Sequence, residues 1–248
     1  MEIIDINCML GTWPDFSVRF HDTEGLLKEM ASYNISSCVA FHSYSLWDME
    51  HGNRLIYTIA KESHGKIKHC YVLQSPLNNA IMPDGPNLRK KLLQEKPFAI
   101  KLFPNTHRYL ANEFYSCELF EILNELKLPV IFDSDQNPGY DKLPELAKAY
   151  PHIPFILLRQ SLNHMRFILP LLRKTENIYF DVSIMCDTGF LEEIINNYGS
   201  ERLLFGSGMP FYIPAGAYGL IFYARVSEYH RKNILCANWT RLEGAIVW

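Results

Sequence analysis

The stretch FAIKLFPNTHRYLANEFYSCELFEILNELKLPVIFDSD, residues 98–135, reads as one strand–helix–strand unit. Residues 98–103 and 129–132 are short, nearly unbroken apolar runs that do not alternate with polar residues. Such composition predicts parallel strands covered on both faces. Between them, Leu119, Phe120, Ile122, Leu123 and Leu126 recur at helical spacing and put an apolar stripe on one helix face. A helix joining two strands of one sheet in this way demands a right-handed crossover and parallel pairing.

The unit repeats outward in both directions. Apolar runs at 3–8, 38–42 and 67–73 precede it, and runs at 155–158, 178–182 and 202–205 follow, which makes eight predicted strands. Further helical stripes are carried by Leu26, Leu27, Met30 and Tyr33, by Met165, Ile168, Leu169 and Leu172, and by Leu191, Ile194, Ile195 and Tyr198. Eight alternations in 248 residues predict a single α/β domain over residues 1–248, a closed (β/α)8 TIM barrel rather than an open doubly wound sheet. The Pro-, Gly- and Asn-rich patch at 76–87 reads as a long loop between a strand and a helix. Barrels bind ligands at the carboxyl ends of their strands, so the candidate positions are 7–9, 43, 74, 101–107, 133–135, 159–161, 181–183 and 207–209.

Composition narrows the function classes. Twenty-four Lys and Arg against 27 Asp and Glu leave a net charge of −3, which offers no field to attract nucleic acid or an anionic membrane. Cys8, Cys38, Cys70, Cys117, Cys186 and Cys236 are widely spaced and form no Cys-x-x-Cys, so they read as reduced, mostly buried thiols. The amino terminus has no basic or apolar leader and no run approaches a membrane span, giving the expectation of a cytoplasmic protein. The aromatic carboxyl terminus, with Trp239 and Trp248, covers either a barrel face or a subunit contact, which leaves a homo-oligomer open.

Several segments resemble the amidohydrolase superfamily, in the branch containing metal-dependent hydrolases, lactonases and nonoxidative decarboxylases. These are IIDINCMLG (3–11), FAIKLFPNTHRY (98–109), LPVIFDSD (128–135), YGSERLLFGSGMPFY (198–212) and ILCANWTRLEG (234–244). The last two look like the family's final strand, its Gly-Ser-Asp-x-Pro turn and a terminal helix with an asparagine, here Asn238. The resemblance covers most of the chain and implies the barrel fold. It also implies a divalent metal, usually zinc, held by a His-x-His pair on strand one, histidines ending strands five and six, and an aspartate ending strand eight. Such a site activates a bound water.

At the matching positions this chain has Asn7 and Met9, Asp133, Arg159, and Gly208, while the family's frequent Lys-Leu-His-Pro appears as Lys101-Leu102-Phe103-Pro104. A catalytic zinc needs about three donors. Only Asp133, with Asn7 as a poor oxygen donor, stands in place, and Lys101 and Arg159 bring fixed positive charge into the same volume. The expectation is therefore a degenerate, metal-independent site without a cofactor. In it Lys101 and Asp133 form an ion pair, with Arg159 nearby and a net charge of +1. Such a mouth favours a small anion, a carboxylate or a phosphate, which arginine grips with two hydrogen bonds.

Each remaining candidate carries two readings. Lys101 is a Schiff-base lysine or a structural partner of Asp133. Cys8 and His42 are a thiolate and base, or an inert buried thiol and an unrelated ring. His107 is an acid or base reaching the pocket, or a solvent-exposed loop residue; His164 is a cap or surface residue. Gly206-Ser207-Gly208 is a backbone-amide phosphate site or the family's turn with its aspartate reduced to glycine. Asp181 or Asp187 supplies a base or caps the helix predicted near Thr188.

Three functions fit these expectations. The first is a metal-independent hydrolase or lactonase acting on a small carboxylate through Lys101, Asp133 and His107, with Arg159, Asn7, Ser207 and Gly208 binding substrate. The second is a noncatalytic small-anion-binding or regulatory descendant, and the third a lysine-dependent lyase.

Overall fold

The computed structural model describes residues 2–75, 85–185 and 189–248. All eight apolar runs form strands: β1 (Ile4–Leu10), β2 (Ser37–His42), β3 (Ile67–Leu73), β4 (Ala99–Leu102), β5 (Val130–Asp133), β6 (Phe155–Leu158), β7 (Ile178–Asp181) and β8 (Leu203–Leu204). Neighbours pair in parallel in the order β1 to β8. The two edges then meet. Ile6 N donates to Phe205 O at 3.0 Å and Met9 N to Met209 O at 2.9 Å, with a parallel bridge between Cys8 and Met209. The sheet is thus a nearly closed (β/α)8 barrel, and the open-sheet alternative is excluded.

Strand parity divides the core in two. Inside the barrel lie Ile4, Ile6, Val39, Phe41, Cys70, Val72, Ala99, Ile131, Ile156 and Leu204; the helices pack on the other side against Ile100, Leu102, Val130, Phe132, Phe155, Leu157 and Phe180. Side chains of a strand alternate between faces, so runs buried on both faces look continuous in sequence. The register of β1 against β2 shifts between Asp5 and Cys8. A bulge of this kind re-aims side chains locally, and here Cys8 joins the outer layer while Asn7 and Met9 face the carboxyl-end cavity.

The amino-terminal mouth is plugged by the carboxyl-terminal helical run, where Cys236, Trp239 and Leu242 pack into the interior cluster. Asn238 anchors the plug by donating its amide to the carbonyls of Ser200 (2.7 Å) and Leu203 (2.9 Å), and Glu243 pairs with Lys68 at the start of β3. Trp239 therefore covers a barrel face, whereas Trp248 stays exposed. No helix among the described residues is long and apolar enough to cross a membrane. Of the 76–87 patch, residues 76–84 lie outside the described residues, as do Cys186, Asp187 and Thr188; Gly85 begins the helix Gly85–Glu95.

Candidate ligand-binding site

Counting by two along the strands points the same inward set toward the carboxyl ends: from Ala99 to Lys101 and Phe103, from Ile131 to Asp133, and from Tyr179 to Asp181. Above them opens a cavity of about 560 Å³, lined by Asn7, Lys101, Asp133, Arg159 and Gly208. Five of the predicted site residues therefore converge although they come from five different parts of the chain.

Lys101 Nζ lies 3.0 Å from Asp133 Oδ2, and Arg159 Nε lies 3.2 Å from Asp133 Oδ1. Lys101 is 5% exposed and Asp133 8%. Burial alone pushes the Asp133 carboxyl up, but Lys101 and then Arg159 outweigh it and hold it below the ordinary carboxylate range. Arg159 stays firmly charged for the converse reason: burial works against its charge, and Asp133 and Asp135 more than offset that. The Lys101 ammonium also sits 4.5 Å from the centroid of Phe41 and 5.4 Å from that of Phe103, where ring faces attract a cation.

The expected charge of +1 needs a correction. Arg159 Nη2 donates to Asp135 Oδ1 at 2.9 Å, and Asp15 also lines the cavity, so two cations face three carboxylates. Asp135 is 64% exposed in its side chain and acts through solvent, as does the exposed Asp15. The cavity is dipolar, cationic at its buried floor and anionic at its mouth.

Behind the floor lies a second layer of carboxylates. Asp181 Oδ2 accepts from Asn7 Nδ2 at 2.9 Å and Oδ1 from Arg159 N at 2.7 Å, and burial pushes its pKa up to about 6. Asp181 thus neither caps a helix nor lines the cavity; the helix after β7, Phe190–Tyr198, starts at Gly189 without a side-chain cap. Asp5 Oδ1 accepts from the amides of Asn7 and Ser207, both at 3.0 Å, and joins β1 to the turn after β8. Asp5 Oδ2 is buried without a hydrogen-bond partner, and burial raises this carboxyl too. Inward parity makes Asp181 readable from sequence. Asp5 is not, because the bulge breaks the count.

Other candidates do not reach the cavity. His107 is half-buried with Nε2 against the Leu46 carbonyl at 3.3 Å, and burial lowers its pKa against the effect of that carbonyl. It is absent from the lining, so the short helix Pro104–His107 turns it away from Lys101. Ser207 is buried, its Oγ accepting from Met209 N at 3.1 Å. With Ser207 N on Asp5 and Gly208 N on Asn7 O at 3.0 Å, these backbone amides are already used, and the phosphate cradle loses its donors. Burial keeps the Cys8 thiol protonated, and His42 Nδ1 accepts from Tyr44 N at 3.1 Å, so the two do not form a thiolate–base pair. His164 Nδ1 accepts from Ser161 N at 3.1 Å in a capping box.

A family model described as amidohydrolase matches residues 90–242, well over half of the chain. The chain belongs to the amidohydrolase family. Solved structures agree on the barrel at low identity. An uncharacterised TIM-barrel protein from Bordetella bronchiseptica is 15% identical with a TM-score of 0.76, covering 99% of each chain. The 4-oxalomesaconate hydratase of Rhodopseudomonas palustris is 17% identical with a TM-score of 0.74, over 98% of this chain and 96% of that one. A dihydroxybenzoic acid decarboxylase from Polaromonas is 13% identical with a TM-score of 0.73, over 98% and 97%, and was solved with bound manganese. Comparison with curated protein sequences finds no match.

The amidohydrolase fold implies a divalent ion, and the residues of this site do not fit one. Among the described residues no group of three or more His, Cys, Asp or Glu could hold a metal. Asp133 is the one strong donor at the implied positions, and both of its oxygens already face cations. A further divalent charge beside an ammonium and a guanidinium would be repelled in a poorly screened volume.

Proposed function

We propose that this amidohydrolase barrel binds a small carboxylate without a divalent metal, with the Lys101 ammonium as its fixed positive charge. The observation that carries the reading is the Lys101–Asp133–Arg159 chain at the floor of an aromatic-walled cavity. Lys101 and Arg159 each keep N–H donors beyond those spent on Asp133, and a carboxylate accepts such donors in two-pronged fashion. Binding is favoured over turnover because the cavity floor offers no strong base: Asp133 is held below the ordinary carboxylate range and is therefore a weak proton acceptor, and His107 is turned to Leu46. The ion pair of Lys101 with Asp133 also counts against a Schiff-base role for Lys101, because it engages the nitrogen that would have to attack a carbonyl.

Titration calorimetry with a panel of small carboxylates tests this. At least one member should bind with micromolar affinity to the wild type and fail to bind Lys101→Ala. Elemental analysis showing one transition ion per chain would overturn the metal-free reading, and borohydride trapping at Lys101 would replace it with the lyase.

One observation favours a second reading, the metal-independent hydrolase or lactonase. Asp181, with a pKa near 6, is poised to accept a proton near neutrality and touches the cavity residue Asn7. Lactone hydrolysis by the wild type that vanishes in Asp181→Asn, with carboxylate binding intact, would establish it.

A further inference from the structure

The outer half of the cavity differs in chemistry from its floor. Trp13 packs edge-on against Phe211 with ring centroids 5.1 Å apart, and Phe16 meets the same ring at 5.8 Å. Trp47 and Tyr212 also line this part, exposed to solvent. The inner aromatics Phe41 and Phe103 already face the Lys101 ammonium. Among the described residues, the cation–π pairs leave Trp13, Phe16, Phe211 and Trp47 without a cation. Asp15 lies between Trp13 and Phe16 in the chain and lines the same cavity, and no ion pair among the described residues involves it.

Charge bookkeeping makes the mouth more specific. The lining carries Lys101 and Arg159 against Asp15, Asp133 and Asp135, an excess of one negative charge. A simple carboxylate would raise that excess. A ligand that brings a positive group of its own leaves it unchanged and sets that group against ring faces and the unpaired Asp15 carboxylate. Open aromatic faces beside a carboxylate recognise organic cations, quaternary ammonium above all, because the rings attract the charge and the cation sheds little hydration.

We infer that the ligand is a zwitterion, with its carboxylate at Lys101 and Arg159 and an alkylated ammonium group in the mouth formed by Trp13, Phe16, Phe211 and Asp15. This rests on the carboxylate-binding reading above and extends it to the other end of the ligand. The dipolar cavity then selects against plain carboxylates and plain amines alike, since each satisfies only one end.

The test is calorimetry with ω-trimethylammonio carboxylates over a short series of alkyl linkers, each paired with the isosteric carboxylate that carries a neutral tert-butyl group in place of the trimethylammonium. The full-length protein is used, with Asp15→Asn and Trp13→Leu alongside and circular dichroism to verify folding. The zwitterion of best length should bind about tenfold tighter than its isostere, and Asp15→Asn should erase most of that preference by weakening the zwitterion without weakening the isostere. Asp15 is exposed, so its variant tests the idea even if Trp13→Leu unfolds. Equal or tighter binding of the isostere would sink the cation subsite and leave the carboxylate reading standing. Failure of both series to bind would remove both.

Discussion

Asn7 on β1 donates its side-chain amide to Asp181 on β7 at 2.9 Å, across 174 residues of sequence. The other oxygen of the same carboxylate takes the Arg159 amide at 2.7 Å, just where Arg159 adopts a left-handed backbone with φ of 56°. One buried group therefore orients two cavity residues, Asn7 within β1 and Arg159 just after β6. An ionised carboxylate only accepts hydrogen bonds, so it fixes which end of the Asn7 amide faces it.

Removing that acceptor leaves two buried donors unsatisfied. Asp181→Ala should lower unfolding stability by about 3 kcal/mol, read from the urea midpoint at unchanged slope. A shift of a few tenths would mean that water replaces the carboxylate.

The same residue makes stability depend on pH. Its folded pKa of about 6 lies above the 3.8 of an ordinary aspartate, so the folded state binds the proton more tightly. The contribution is fully present below about 3.8 and is lost as pH rises through about 6, worth roughly 3 kcal/mol over the span. Asp5 works in the same direction, while Asp133, held low by Lys101 and Arg159, stabilises at higher pH and loses its effect in acid. Asp181→Asn should flatten the fall in melting temperature between pH 4 and 6; an unaltered profile would assign it to other groups.

Removing Lys101 from the buried ion pair leaves Asp133 with Arg159 as its one remaining cation. Lys101→Met should cost about 3–5 kcal/mol, and the double variant with Asp133→Leu should recover part of the loss. A double-variant loss equal to the sum of the two single losses, in chemical denaturation, would show that the pair is not coupled.

The turn after β8 tolerates no side chain at Gly206. A Cβ there would lie 2.6 Å from Asp181 Oδ2 and 2.9 Å from Asn7 Cβ, both held in place. Gly206→Ala should cost about 1–3 kcal/mol through overpacking and weaken carboxylate binding through Asn7. A variant as stable as the wild type would show that the floor yields.

Much of this was legible before any coordinates. Strand number, order and parallel pairing follow from continuous apolar runs alternating with helical stripes, because burial on both faces leaves no polar residues along a strand. Lys101, Asp133 and Arg159 were readable as strand-end residues. His107 and Ser207 were not, because loop direction after a strand depends on local bonds: the one-turn helix at Pro104 aims His107 at Leu46, and Asp5 draws in the Ser207 amide. Trp13, Phe16 and Phe211 carried no periodic signal at all, since they sit on loops gathered only by barrel closure.

The sequence by itself determined the barrel and the residue types at its strand ends, because periodic burial is a local property of the chain. Only the tertiary structure decided which charges meet. Asp135 and Asp15 turn a site expected to be cationic into a dipolar one, and Asp181 acts through Asn7 and Arg159 from beneath the floor. Electrostatic interaction depends on distance and solvent exposure in space, and neither is encoded by separation along the chain.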